Sequence, residues 1–173
     1  MIRRTASLSL CSALATTWLA VNVIAVPIAA APPKALPSLT FTTPDGKTIE
    51  SADLQGKVVL LDFWASWCIP CRKSFPEIDR LSKDFASKGV MVIAVNVDEQ
   101  RKNADAFLSE YPHQVTVAFD SKGVSAKAFD LQGMPSSLII DRGGHVRFTH
   151  MGYTDKTIAQ FRTEIAQLLT EAQ

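Results

Sequence analysis

Two cysteines separated by two residues, Cys68 and Cys71, stand where an apolar strand pattern changes into a helical one. A thiolate at the start of a helix is stabilised by free backbone N–H groups and by the helix dipole. A thiol three residues later lies within the first helical turn, close enough to attack a mixed disulfide on the first cysteine. The spacing therefore predicts thiol–disulfide exchange, with Cys68 as the exposed attacking residue and Cys71 as the shielded residue that resolves the mixed disulfide.

The beginning of the chain has the pattern of a targeting segment. Arg3 and Arg4 precede an almost entirely apolar stretch, Leu8 to Val26, and small residues follow it. This pattern is typical of a secretory signal peptide, and the apolar stretch is also long enough to remain as a membrane anchor. We therefore expect residues 1–31 to be either a cleaved signal peptide or an anchor.

Cysteine usage and charge narrow the function of the remaining chain. Without residues 1–31 the chain loses Cys11, so that only the paired cysteines remain of its 3, and it keeps 16 basic and 17 acidic side chains. An exported protein that used disulfides for stability would usually spread more cysteines along the chain, and a structural zinc site needs four ligands. The near-zero net charge argues against a nucleic-acid partner.

Strand and helix patterns alternate through the rest of the chain. Prolines predict an extended short stem over residues 32–37, and the pattern predicts one domain over residues 38–173. Period-2 or continuous apolar runs predict strands, whereas 3.6-residue periodicity predicts helices. The predicted strands are residues 38–43, 47–49, 58–63, 90–97, 115–119, 137–140 and 146–151, and the predicted helices are residues 69–87, 104–111, 124–129 and 155–171. This order predicts an α/β fold with a mixed central sheet flanked by helices.

The stretch Asp62-Phe63-Trp64-Ala65-Ser66-Trp67-Cys68-Ile69-Pro70-Cys71 strongly resembles the active-site segment of thioredoxins. Pro76 in the following helix, Gly133-Met134-Pro135 ahead of a strand, and the strand–turn–strand–helix ending extend the resemblance over nearly all of the chain after residue 31. Within that superfamily the chain looks most like the exported TlpA/ResA/DsbE group. That resemblance implies a thioredoxin-like fold with an N-terminal hairpin and a central strand–helix insertion.

The same resemblance implies a function and a setting. Members of the group are periplasmic disulfide reductases that act on client proteins, for example in cytochrome c maturation or metal-site assembly. They receive electrons from a membrane-embedded thiol reductase. By this resemblance we expect no cofactor other than the redox-active disulfide Cys68–Cys71, and we expect a monomer.

The resemblance also assigns roles to residues outside the cysteine pair. Asp62 occupies the position of the buried carboxylate of thioredoxins, where burial raises its pKa and suits it to proton transfer. The lysine that neighbours this acid in thioredoxins is replaced by Ala94, which predicts an Asp62 without a cationic partner. Pro135 is the predicted cis proline, and Met134 before it would present its backbone to an extended substrate.

The residues around the pair favour a reductant. No histidine lies between the cysteines, so the reduced form lacks the stabilisation found in strong oxidants such as DsbA. Ile69 and Pro70, together with Trp67, are expected to belong to the substrate-docking surface, whereas Arg72 and Lys73 are expected to point to water.

Two alternatives use the same cysteines. The first is a periplasmic disulfide oxidant or isomerase. The second is a copper metallochaperone, for which His150 beside Met151 would be the best additional ligand among the three histidines.

Overall fold

A computed structural model of the chain describes residues 34–171. The predicted signal peptide or anchor therefore lies outside the described residues. The strands are β1 Lys34–Ala35, β2 Thr40–Thr42, β3 Thr48–Glu50, β4 Val58–Trp64, β5 Val90–Asn96, β6 Thr116–Phe119, β7 Ser136–Ile140 and β8 His145–Met151. The helices are α1 Ile69–Phe85, α2 Arg101–Glu110, α3 Val124–Ala128 and α4 Thr157–Thr170.

All of these strands join one sheet in the order β1-β8-β7-β4-β5-β6-β2-β3. β4 pairs in parallel with β5, and β5 pairs in parallel with β6, whereas the remaining pairs are antiparallel. The predicted mixed sheet is therefore confirmed. Lys34–Ala35, within the segment predicted as a stem, pairs with the edge of β8.

β4 is the central strand and carries the two hydrophobic layers of the protein. Every residue of β4 is buried, as the continuous apolar run predicts. Val58, Leu60 and Trp64 face one layer, which contains residues of α1, α2 and α4. Leu61 and Phe63 face the other layer, which β2 and the segment after α3 help to close. A strand covered on both faces is a rigid support for whatever follows its C-terminal end.

The helices agree with the predicted pattern, with shifts at their ends. α1 ends at Phe85 and is followed by a short 3₁₀ turn, which Gly89 terminates with a φ of 76°. α2 begins at Arg101, three residues before the predicted start, because the polar first turn carries no apolar periodicity. The predicted hairpin is present as β2 and β3, and β6 followed by α3 stands in the middle of the chain.

Candidate active site

The cysteine pair closes the start of α1. Cys68 is the residue that caps the helix, and its Sγ is bonded to the Sγ of Cys71 with an S–S distance of 2.06 Å. The backbone N–H of Cys71 donates a hydrogen bond to Cys68 Sγ at 3.2 Å. Pro70 stands in the first helical turn, where its missing N–H costs nothing. The pair is therefore a disulfide at a helix N-terminus.

The structure corrects the expected exposure of Cys68. Cys71 is fully buried as predicted, but Cys68 is itself only 4 % exposed. The reason is that the disulfide and the Cys71 N–H draw the Cys68 sulfur toward the helix. The exposed apolar surface comes instead from its neighbours, since Trp67 is 68 % exposed and Ile69 is 73 % exposed. Pro70 is exposed beside them.

The Met134–Pro135 peptide bond is cis, which confirms the expectation for Pro135. Ser136 donates its hydroxyl to the carbonyl of Gly133 at 2.6 Å and thereby fixes this loop. Because Ser136 pairs with Phe63 across the sheet, the loop lies at the end of β4 that leads to the cysteines. Pro135 is buried and Met134 is half-buried, and Met134 packs against both hydrophobic layers.

Asp62 lies on β4 and faces the hydrophobic layer that also contains the cysteine pair. It is 1 % exposed, and burial raises its pKa to about 7, although a hydrogen bond from Ser137 opposes this rise. Ser137 Oγ donates to Asp62 Oδ1 at 2.6 Å, while Oδ2 has no partner. Ala94 is the residue paired with Asp62 on β5. Sequence reasoning missed Ser137; its position two residues after the cis proline was the only available signal.

A second buried carboxylate supports the loop before the cysteines. Asp98 is 3 % exposed and accepts hydrogen bonds from the Ser66 backbone N–H and hydroxyl at 2.9 and 2.8 Å. The Asn96 side-chain amide donates to the same carboxylate at 2.7 Å. Asp98 thus ties the residue that precedes Trp67 to the end of β5. Nothing in the local sequence pattern indicated this network.

Replacing Asp98 with alanine should destabilise the protein by about 3 kcal/mol, because three donors lose their acceptor in a buried place. Asp98→Asn, which keeps one carbonyl oxygen, should lose less. Urea unfolding of the two variants and the parent measures the difference. An Asp98→Ala variant as stable as the parent would show that water replaces the carboxylate without loss.

Arg72 is exposed as predicted, and its guanidinium also makes contacts within the protein. Its guanidinium donates to the Ser66 carbonyl at 3.2 Å and lies 5.6 Å from the centre of the Phe107 ring. It is also 3.6 Å from the carboxylate of Glu110. A cation beside an aromatic face and a carbonyl gains from both, which explains why the side chain folds back. Lys73 is exposed as predicted.

Trp64 packs below the cysteine-bearing helix in an aromatic cluster. Its ring centre is 5.1 Å from that of Phe75 on α1 and 4.5 Å from that of Phe107 on α2. Trp64 is fully buried, whereas Trp67 is exposed, as expected for a residue of the docking surface.

The histidine considered as a copper ligand is engaged elsewhere. His150 Nε2 lies 2.7 Å from Glu164 Oε2, and its ring packs against Phe161 on α4. Met151 is exposed next to it. Within residues 34–171, no group of three or more His, Cys, Asp or Glu side chains is arranged to hold a metal ion.

The sequence matches a known protein family. Residues 31–166 match the family model described as Redoxin. The chain is 36 % identical over 110 residues to the thiol-disulfide oxidoreductase ResA of Bacillus subtilis. The aligned segment covers 64 % of this chain and 62 % of that protein. It is 33 % identical over 123 residues to the thioredoxin-like protein YneN of the same organism, covering 69 % of this chain and 71 % of that protein. The chain thus spans somewhat less than two thirds of the ResA protein.

Solved structures give the same fold. A candidate thiol:disulfide interchange protein DsbE from Chlorobium tepidum superposes with a TM-score of 0.75 at 37 % identity, covering 79 % of this chain and 96 % of that chain. A second Chlorobium tepidum thiol:disulfide interchange protein of the thioredoxin family gives a TM-score of 0.70 at 30 % identity, covering 82 % of this chain and 99 % of that one.

Proposed function

This chain belongs to the redoxin family, with a thioredoxin-like fold, and from that premise we propose that it is a thiol–disulfide oxidoreductase that reduces disulfides in client proteins. The observation that carries the proposal is the Cys68–Cys71 disulfide at the start of α1, bordered by an exposed apolar surface. The relatives named as thiol-disulfide oxidoreductases support the same chemistry.

In the first step the reduced protein attacks a client disulfide. The Cys68 thiolate forms a bond to one client sulfur, the client S–S bond breaks, and the other client sulfur leaves as a thiolate. The position of Cys68 at the helix N-terminus favours the thiolate through the helix dipole and through the hydrogen bond that the Cys71 N–H donates to Cys68 Sγ.

In the second step Cys71 resolves the mixed disulfide. Its thiol gives a proton to the Asp62 carboxylate, and the resulting thiolate attacks Cys68 Sγ. The Cys68–Cys71 bond forms, the bond from Cys68 to the client breaks, and the client sulfur leaves as a second thiolate. Two electrons pass from the protein dithiol to the client. A carboxylate with a pKa of about 7 is suited to this transfer near neutral pH.

The client would dock on the surface around Cys68. The exposed residues next to Cys68 are Trp67, Ile69 and Pro70. Met134 lies in the cis-proline loop that precedes β7, the strand paired with β4. The backbone of Met134 would pair with an extended client segment as an added strand does. The exposed indole and isoleucine would cover apolar residues next to the client cysteine.

The proposed reducing direction is supported by the small number of groups that stabilise a Cys68 thiolate beyond the helix start itself. Among the described hydrogen bonds, Cys68 Sγ accepts one, from the Cys71 N–H. Pro70 has no N–H to offer, and Arg72 is held by the Ser66 carbonyl and Glu110. A pair whose reduced form gains little stabilisation has a low reduction potential and passes electrons to other disulfides.

The proposed setting is the periplasm, with a membrane-embedded thiol reductase as the electron donor and no cofactor beyond the cysteine pair. The support is the targeting pattern of residues 1–31 and the likeness to ResA and DsbE proteins. Cytochrome c maturation or metal-site assembly would supply the clients, and the protein would act as a monomer. Among residues 34–171, no helix is both long and apolar enough to cross a membrane.

The proposal is tested by the reduction potential of the pair, measured by equilibrating the purified protein with dithiothreitol and glutathione buffers. A potential near ~−270 mV, as in thioredoxin, is expected for a reductant. The reduced protein should also reduce insulin disulfides, and Cys68→Ser should abolish that activity. A potential near ~−120 mV would make the protein an oxidant and would overturn the reducing direction.

A further inference from the structure

Four neighbouring strands bring a row of side chains to the face of the sheet that α1 covers. Asp62 on β4 pairs with Ala94 on β5 and with Ser137 on β7, and Ser137 pairs with His150 on β8. Residues directly opposite each other in adjacent strands point to the same face. Asp62 alternates with Leu60 and Trp64, which pack in the same layer as Cys71. The row therefore faces the same hydrophobic layer as the resolving cysteine.

The two carboxylate oxygens of Asp62 differ in their hydrogen bonding. Oδ1 accepts the Ser137 hydroxyl at 2.6 Å, whereas Oδ2 is buried with no hydrogen-bond partner. A buried carboxylate oxygen without a partner is costly, and such groups call for an explanation in the protein's chemistry. Ser137 fixes the orientation of the carboxylate, because a bond to one oxygen of a planar group also determines where the other oxygen points.

We propose that Ser137 is a positioning residue for disulfide exchange, whose hydroxyl holds Asp62 Oδ1 so that Oδ2 stays free to take the proton of the Cys71 thiol. This inference rests on the proposed function. In the step concerned, the Cys71 S–H bond breaks and the O–H bond of protonated Asp62 forms, with no net transfer of electrons. The Cys71 thiolate then displaces the client sulfur from Cys68, and that client thiolate takes up a proton from solvent.

Ser137 also sets the pH at which this base is available. Burial raises the pKa of Asp62, and the hydrogen bond from Ser137 lowers it, to give a value of about 7. Without the hydroxyl, the pKa should rise further, so that less of the carboxylate is ionised at neutral pH.

Other titratable groups face this row, and the experiment must distinguish their titration from that of Asp62. Cys71 faces it from α1, and His150 faces it from β8 beside Ser137. Glu164 on α4 is bonded to His150. β5 contributes Ala94, which does not titrate.

The test is the rate at which Cys71 resolves the mixed disulfide between Cys68 and glutathione. The reduced full chain is mixed with oxidised glutathione, quenched with acid at short times, and the adduct is quantified by mass spectrometry between pH 5.5 and 9. In the parent the rate should rise with an inflection near pH 7. In Ser137→Ala the inflection should move up by about one pH unit, with a rate about three- to tenfold lower at pH 7.

Three further variants separate positioning from a merely structural role. Ser137→Thr keeps the hydroxyl and should restore the parental pH profile. Ser125→Ala is the matched control, because it removes another buried serine hydroxyl from a carboxylate, that of Asp120, away from the cysteines. It should leave the profile unchanged. In an Asp62→Asn background, Ser137→Ala should not move the profile at all, which excludes His150 as the group observed.

Two results would overturn the inference. The first is a Ser137→Ala profile identical to that of the parent, and the second is an equal shift with Asp62 already replaced. Either result leaves the proposed function intact, provided that the parent forms and resolves the glutathione adduct. A parent that forms no adduct on Cys68 would instead overturn the proposed function itself.

Discussion

Replacing Cys71 with serine is expected to convert the protein into a trap that holds its clients covalently on Cys68. The first step needs only the Cys68 thiolate, so the mixed disulfide still forms. The second step needs a sulfur nucleophile one helical turn further on, at a Cα–Cα distance of 5.2 Å in the disulfide form, and a serine hydroxyl cannot supply it. The lifetime of the mixed disulfide should therefore rise by several orders of magnitude.

The adducts can be isolated from cells that express Cys71→Ser, separated without reductant and released by dithiothreitol. Cys68→Ser serves as the matched control, since it keeps Cys71 and the docking surface but lacks the attacking sulfur. It should yield no adducts. Recovery of equal amounts of adduct from both variants would mean that Cys71 is the attacking residue and that the assignment of the two roles is wrong.

Replacing Asp62 with asparagine should stabilise the disulfide form at alkaline pH. The pKa of Asp62 is raised from 3.8 to about 7 in the folded protein, so the folded state binds a proton more tightly than the unfolded state. The stabilisation of the folded state by protonated Asp62 is fully present below about pH 4 and is lost as pH rises through 7. Ionised Asp62 consequently costs the folded state about 4 kcal/mol at pH 8, a cost that asparagine removes.

The measurement is the free energy of unfolding in urea at pH 5 and pH 8 for Asp62→Asn and for the parent. The gap between the two proteins should widen by about 2–3 kcal/mol from the lower to the higher pH. Asp105→Asn, which removes an exposed carboxylate on α2, is the control and should show no such widening. A constant gap for Asp62→Asn would show that Asp62 is not titrating in this range. The same variant should also slow the resolution of mixed disulfides, since it removes the proposed base.

The stability of the folded state would therefore favour replacing Asp62, whereas the proposed disulfide exchange needs its carboxylate. An asparagine or an apolar residue would suit the hydrophobic layer better than a carboxylate with one unpartnered oxygen. Under the proposed mechanism the acid is needed at this position to take the proton of Cys71. Ser137 limits the cost by donating one hydrogen bond to the group.

Much of the fold could be predicted from the sequence because its signals are local. The run from Val58 to Phe63 predicts a strand buried on both faces, and the structure gives Val58–Trp64. The periodicity after Cys68 predicts the helix that begins at Ile69. Helix and strand ends were less predictable: α2 starts before its apolar pattern does, since its polar first turn carries no periodicity.

Some features of the candidate active site could likewise be predicted from the sequence and others could not. Cys68, Cys71 and Pro135 were predictable because spacing, residue type and resemblance to thioredoxins mark them. The exposure of Cys68 was predicted wrongly, because it depends on how the disulfide turns the sulfur toward α1. The contacts of Arg72 were not predictable, since its partners Ser66 and Phe107 lie outside α1.

The sequence by itself determined a dithiol at a strand–helix junction, a buried acid on the preceding strand and a cis proline before a later strand. Only the tertiary structure decided which hydroxyl binds that acid and which carboxylate supports the loop before the cysteines. Ser137 is 75 residues from Asp62, and Asp98 is 32 residues from Ser66. Such pairs arise from the register between strands and from the packing of loops at the sheet's edge, and neither leaves a periodic trace in the chain.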